Sequence, residues 1–328
     1  MSLAQYIQYF AFSQPKVFLA VIIIATLIIM VKSADMLLFG VTRYFNRIGL
    51  SDYLTGLIVV AAVASFPELI SAITGASLGD HGVVFGTILG SNVGGLTLIL
   101  GIMALFARKV NIQSKLFNKV KMLVFFITLL PLFLVIDGTL SRIDGAILIC
   151  AYAAYVIYLW KKEQEEGGST GLKNVKFEVL WKDGLIFILA LGALLLSARW
   201  LIFGVIELSH RLEISSFIVS VVILGISAQI PDLIVTIRSE LSGHKDVGMG
   251  DLLGSTITKQ TLFFGMIALF SPLSISFGTI MLTSLAFTGT MALVLVYMKK
   301  GWVTWKEGLF FVGIYCVYLI LEIVLNAA

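Results

Sequence analysis

A chain of 328 residues that is 59% hydrophobic and only 13% charged cannot hide its apolar surface in a water-soluble fold of that size. The formal net charge of +4 is spread over short basic clusters between apolar runs, which gives no nucleic-acid surface. The two cysteines, Cys150 and Cys316, both lie inside apolar runs, so neither a disulfide scaffold nor a cysteine metal site is expected. With a mean hydropathy of +1.02 the natural solvent is lipid, and each crossing needs about 20 mostly apolar residues.

In chain order, residues 1–16 mix polar and aromatic side chains, and no small-x-small site closes the apolar run that follows, so they do not read as a signal peptide. Ten apolar spans follow, at 16–44, 52–78, 82–107, 119–136, 143–161, 183–209, 214–240, 246–270, 277–298 and 305–326. The first and sixth are long enough to tilt strongly or to project from the bilayer. The polar stretch 162–182, with Glu163-Gln164-Glu165-Glu166-Gly167-Gly168-Ser169, is a flexible linker that divides the chain near its middle. Seventeen Lys and Arg fall on the side that holds this linker and three (Lys16, Arg142, Arg211) on the other, so the linker is expected in the cytoplasm and both termini outside it.

Residues 33–106 align without a gap on 197–270 at an offset of 164, with about a third of the positions identical. Pro67 with Leu69-Ile70 answers Pro231 with Leu233-Ile234, Gly90-Ser91 answers Gly254-Ser255, and Ala104-Leu105-Phe106 answers Ala268-Leu269-Phe270. Matched Pro, Gly and Ser at one fixed offset are not a by-product of greasy composition. Each half holds five spans, an odd number, so the second copy crosses the membrane in the opposite sense. The expected fold is therefore all-α integral membrane, ten transmembrane helices as two inverted five-helix repeats, residues 1–161 and 183–328. Inverted repeats of this kind place their sites at mid-membrane, where broken helices meet.

Two carboxylates stand near the middles of equivalent spans, Glu68 in Pro67-Glu68-Leu69 and Asp232 in Pro231-Asp232-Leu233. A carboxylate there is costly unless paired or hydrated. Proline lacks an N–H and frees an upstream carbonyl, and carboxylate, hydroxyl and carbonyl oxygens together suit hard cations. The companion motif is Gly86-Thr87-Ile88-Leu89-Gly90-Ser91-Asn92 in the first half and Gly250-Asp251-Leu252-Leu253-Gly254-Ser255-Thr256 in the second. Its glycines allow close helix approach, and the hydroxyls of Ser91 and Ser255 are available either as ligands or for back-bonding within their own helices.

These motifs resemble the cation/calcium antiporter superfamily, which includes the sodium/calcium exchangers, over essentially the whole chain. The family pattern is approximately Gly-Thr-Ser-x-Pro-Glu-Leu followed by Gly-Asn-x-x-Gly-Ser-Asn, here in an alpha-1 motif at 56–101 and an alpha-2 motif at 220–265. The resemblance implies exchange of calcium for sodium, or for protons, by alternating access, with no cofactor, in the inner membrane of a prokaryote. Inorganic cations and the lipid bilayer are then the expected partners. It implies cation ligands at Glu68, Asp232, Ser65, Ser91 and Ser255; Gln229, which departs from the family pattern, is read as a further neutral ligand, with Asn92 and Asp251 as additional candidates. The Asp in the second Pro-acid-Leu segment looks like the potassium-dependent branch. Several family oxygens are missing, because Ala64, Gly95 and Ala228-Gln229 stand where the family has Thr, Asn and Thr-Ser. Lys259 occupies the position of an Asn or Asp, one helical turn past Ser255.

Mid-span, Lys259 is too far from either interface to snorkel, so it is expected to face the site, with Glu68 or Asp232 as partner. Two expectations follow: a fixed ammonium standing in for a monovalent cation, or a titratable lysine that makes the chain a cation/proton antiporter. Asp251 begins the eighth span and is equally suited to capping that helix. Gly248-Met249-Gly250-Asp251 also spells the Gly-x-Gly-Asp of intramembrane aspartyl proteases, although that family's companion motifs are not evident. A sensor that binds ions without moving them is the remaining alternative.

Overall fold

In the computed structural model the described residues are 19–33, 36, 61, 65–111, 115–165, 177–227, 229, 233 and 252–326. The helices among them are α1 (Leu19–Ser33), α2 (Phe66–Ser77), α3 (His81–Ala107), α4 (Lys115–Leu134), α5 (Arg142–Glu165), α6 (Phe177–Leu212), α7 (Ser216–Ser227), α8 (Leu252–Phe270), α9 (Phe277–Lys300) and α10 (Trp305–Asn326). Six of these described helices are long and apolar enough to cross a bilayer. Helix α5 runs on to Glu165 and α6 already begins at Phe177, so both extend past the apolar spans into the polar stretch 162–182. Few residues at these ends disfavour a helix, so helical hydrogen bonding continues past the apolar stretch. At 36 residues α6 extends about 54 Å, well beyond a hydrocarbon core of about 30 Å.

Burial separates the helices into a centre and a rim. α3 and α8 have 83% of their most apolar stretches buried, against 22%, 39% and 28% for α5, α9 and α10, which therefore present large faces to lipid. The centre is held by close backbone approach. Gly82, Gly86, Gly90 and Gly94 recur every fourth residue along α3 and so form one ridge. A Cβ on Gly86 would lie 2.6 Å from Phe217 O, and one on Gly90 would lie 3.1 Å from Val221 Cα, so α7 lies directly against this ridge. The same device joins α3 to α10 through Gly101 and Gly308, and α5 to α8 through Gly145 and Gly265.

Local geometry repeats at the offset seen in the sequence. Two antiparallel ribbons pair β1 (Lys109–Asn111) with β4 (Trp302–Thr304) and β2 (Thr139–Leu140) with β3 (Leu273–Ser274). Shifting the pair Val110↔Val303 by 164, forward for one residue and back for the other, gives Ser274↔Thr139, which is also a pair. Helix α4, about 30 Å long, separates β1 from β2. One residue out of the register set by that offset, Asp144 and Glu307 in the first turns of α5 and α10 accept from the backbone N–H and hydroxyl of Ser141 and Thr304. Thr97 and Thr261 each bond back to the carbonyl four residues upstream, at 2.5 and 2.6 Å.

The apolar interior forms two clusters. One gathers α2, α3, α4, α5, α8, α9 and α10 around Phe85, Phe264 and Phe287. The other joins Ile23 and Met30 of α1 to Ala190, Leu194, Leu201 and Val205 of α6 and meets the rest at Val83, Val219 and Leu224. Gly86→Ala is expected to destabilise the detergent-solubilised protein by about 1–3 kcal/mol in thermal unfolding, because backbone must move to admit the methyl group. Gly289→Ala, with open space at its Cβ, is expected to be neutral or to gain up to about 1 kcal/mol from helix propensity.

Candidate functional site

The site begins at a break in the second span. Ala61 is helical, Ser65 sits in a turn with φ −87° and ψ 6°, and a new helix starts at Phe66 with Pro67 in its first turn. Proline is tolerated there because the missing N–H would have no partner in a first turn. The break puts Glu68 in the first turn of α2, where the helix dipole favours negative charge, and buries it to 2% exposure. Ser65 Oγ is buried beside the break and has no hydrogen-bond partner among the described residues.

Each central helix contributes a π-helical segment, Gly95–Ile99 in α3 and Thr258–Phe263 in α8. A π turn inserts an extra residue, rotates the following side chains and loosens the carbonyl ladder, and such turns cluster at functional sites. Gly95 and Lys259 are equivalent under the offset of 164 and lie on these two segments. Lys259 Nζ reaches across to Glu68 Oε1 at 2.8 Å, with both side chains about 2% exposed. Of the two partners expected for Lys259, the structure brings Glu68 to it. Asp232 and Asp251 lie outside the described residues.

On the equivalent position of the first repeat the arrangement is different. Gln229 Nε2 donates to Ser91 O at 2.8 Å and to Gly225 O at 3.0 Å. Both donors meet carbonyls, which fixes the orientation of the amide. The side chain lies against Gly94, where a Cβ would be 3.1 Å away, and its Oε1 would be 3.4 Å from a Cβ on Gly95. That Oε1 is buried without a hydrogen-bond partner among the described residues. The family Asn absent at Gly95 thus leaves room that the Gln229 amide occupies.

Ser91 and Ser255 donate back to Ile88 O and Leu252 O, each at 3.1 Å, and keep lone pairs available for a further contact. Asn92 is buried to 1% exposure with neither amide atom bonded among the described residues. Thr87 Oγ1 is in the same condition, and so is Gln260, which is fully buried on the π segment of α8. Neither Thr87 nor Gln260 is among the ligands expected from the sequence, although a polar residue in an apolar span is the available signal. The same holds for Glu322, fully buried on α10, which accepts from Thr283 Oγ1 at 2.9 Å. Among the described residues no group of three His, Cys, Asp or Glu could hold a metal ion.

A polar core of this kind is expensive in a bilayer and gives little that apolar packing would not, which places the chain among integral membrane proteins that conduct or transport solutes. The family profile "Sodium/calcium exchanger protein" matches residues 18–161 and 183–324, one segment on each side of the linker. The chain belongs to that sodium/calcium exchanger family, a family of membrane transport proteins rather than enzymes. It is 24% identical over 289 residues to the "Putative antiporter CaxA" of Alkalimonas amylolytica, covering 86% of this chain and 90% of that one. It is 22% identical over 349 residues to the "Sodium/calcium exchanger MaX1" of Methanosarcina acetivorans, covering 91% and 97%. The fold is shared with the sodium-calcium exchanger NCX_Mj, with a TM-score of 0.68 at 19% identity over 93% of this chain and 99% of that one. The family assignment sets aside the protease reading of Gly250-Asp251.

Truncating one partner of the buried pair is expected to be far worse than replacing both. Glu68→Ala should cost about 3–5 kcal/mol, whereas the double change Glu68→Gln with Lys259→Met should recover most of that loss, as read by unfolding in detergent.

Proposed function

We propose that the chain is a secondary active cation antiporter that exchanges sodium and calcium by alternating access at a single mid-membrane site. The observation that carries this reading is the break at Ser65–Pro67. It presents a buried carboxylate to Lys259 on the π-helical segment of α8, beside a Ser65 hydroxyl unpartnered among the described residues. Family membership and the name of the Methanosarcina relative support sodium and calcium as the ions exchanged, and the name of CaxA supports antiport. Glu68 and Asp232 are the charge-bearing ligands, and Ser65, Ser91, Asn92, Ser255 and Gln229 supply neutral oxygens. Lys259 modulates the charge. Hard cations of this size accept such mixed oxygen shells.

The fold is read as ten crossings in two inverted sets of five, 1–161 and 183–328, with the linker in the cytoplasm and both termini outside. The exchange of the two ribbons under the repeat offset supports a two-fold axis in the membrane plane. The second apolar cluster, centred on α1 and α6 and touching α3 and α7 at Val83, Val219 and Leu224, supports a mobile pair that slides against the remaining helices. A cavity of about 650 Å³ lined by Asp80, His81, Glu207, His210 and Ser274 lies where α6 meets the α2–α3 turn. On this orientation it faces away from the cytoplasm and serves as a hydrated approach. Its carboxylates attract cations even though Asp80 caps Val83 and Glu207 pairs with Arg211.

Purified protein in liposomes is expected to take up calcium when loaded with sodium and diluted into sodium-free medium. Glu68→Gln and Asp232→Asn should each reduce that exchange by about tenfold or more, since each removes a charge-bearing ligand. Absence of any sodium-driven cation flux, or flux indifferent to both substitutions, sinks the proposal.

A further inference from the structure

We infer that the Lys259 ammonium is a covalently tethered cation that permanently fills one cation subsite of this exchanger. It thereby lowers the affinity for divalent ions and reduces by one the positive charge carried per transport step. This rests on the antiport reading above and deepens it. Three observations carry it. Nζ is 2.8 Å from Glu68 Oε1, hydrogen-bond distance for an ammonium on a carboxylate, so one ligand oxygen is already engaged. The pair is about 2% exposed on each side, so the charge is not shared with bulk water. The equivalent place in the other repeat, Gly95, has no side chain and is backed by the neutral Gln229 amide. The two halves of the site are therefore filled by protein groups of unlike charge.

Charge balance gives the direction of the effect. Glu68, Asp232 and Lys259 leave the empty site with a net charge of −1. One monovalent ion neutralises it, whereas a divalent ion overshoots by one charge, which is costly in a low-dielectric interior. Without the ammonium the same site would carry −2, matched by one divalent or by two monovalent ions. The tethered group thus biases selectivity toward monovalent cations. It also replaces an ion that would otherwise have to be carried. As part of the protein it is never released, so it acts as a constant offset in the coupling ratio.

The test compares wild type with Lys259→Asn and with the near-isosteric Lys259→Met, a second variant in case Asn does not give folded protein. Each is reconstituted in liposomes beside empty liposomes. Apparent calcium affinity is expected to rise by about tenfold or more in the variants. The slope of exchange against sodium concentration in a Hill plot should rise by about one. Methylammonium added to either variant should enter the vacated subsite and bring calcium affinity back toward the wild-type value, an effect absent in wild type. Unchanged affinity and slope in variants that still exchange cations would overturn the tethered-ion inference and leave the antiport reading intact. A wild type that moves no cation overturns both.

Discussion

Glu68 and Lys259 meet in a region that water does not reach, and much of the core is arranged so that this pair can exist there. A lone carboxylate or ammonium at that depth is costly unless an ion or water joins it, and even the pair is dearer than apolar packing. The surroundings compensate in specific ways. The helix start after Ser65 puts Glu68 in the first turn of α2, where backbone dipoles favour its charge. The π segment of α8 carries Lys259 at the level of that break. Neither device has a use in a purely structural helix bundle.

The glycine ridge of α3 belongs to the same economy of space. Because Gly82, Gly86, Gly90 and Gly94 carry no side chains, α7 lies against α3 at backbone distance. This proximity lets Gln229 bond to the backbone of both helices, at Ser91 O and Gly225 O. The polar residues at the centre are thereby held by short, directional contacts while the lipid-facing helices α5, α9 and α10 stay loosely specified. The Asp144 and Glu307 caps and the two ribbons lie at helix ends and turns, where backbone groups have no helical partners.

Much of this was legible in the residues. Apolar runs marked nearly every helix, because a lipid-exposed helix must be apolar along its length. The offset of 164 was visible as matched Pro, Gly and Ser, and the structure repeats it in hydroxyl back-bonds at Thr97 and Thr261. Lys259 stood out as a charge too deep to snorkel. Less legible were the elements set by long-range packing. The π segments leave no composition signal, because Leu96-Thr97-Leu98 reads as ordinary helix. The burial of Thr87, Gln260 and Glu322 depends on which face of a helix meets a neighbour, and nearly uniform apolarity hides that face.

The sequence by itself determined that the chain lives in a membrane, that it carries an internal repeat, and that Glu68 and Lys259 lie too deep to be incidental. These follow from hydropathy, periodicity and the cost of burying charge, all of which are local. Only the tertiary structure decided that Lys259 of the second half pairs with Glu68 of the first, and that the Gln229 amide lies against Gly94 and Gly95. The partners are 191 and about 135 positions apart in the chain. Which of several candidate groups meets which depends on helix rotation and close approach, and these are fixed by glycine contacts and π turns distributed over the whole core.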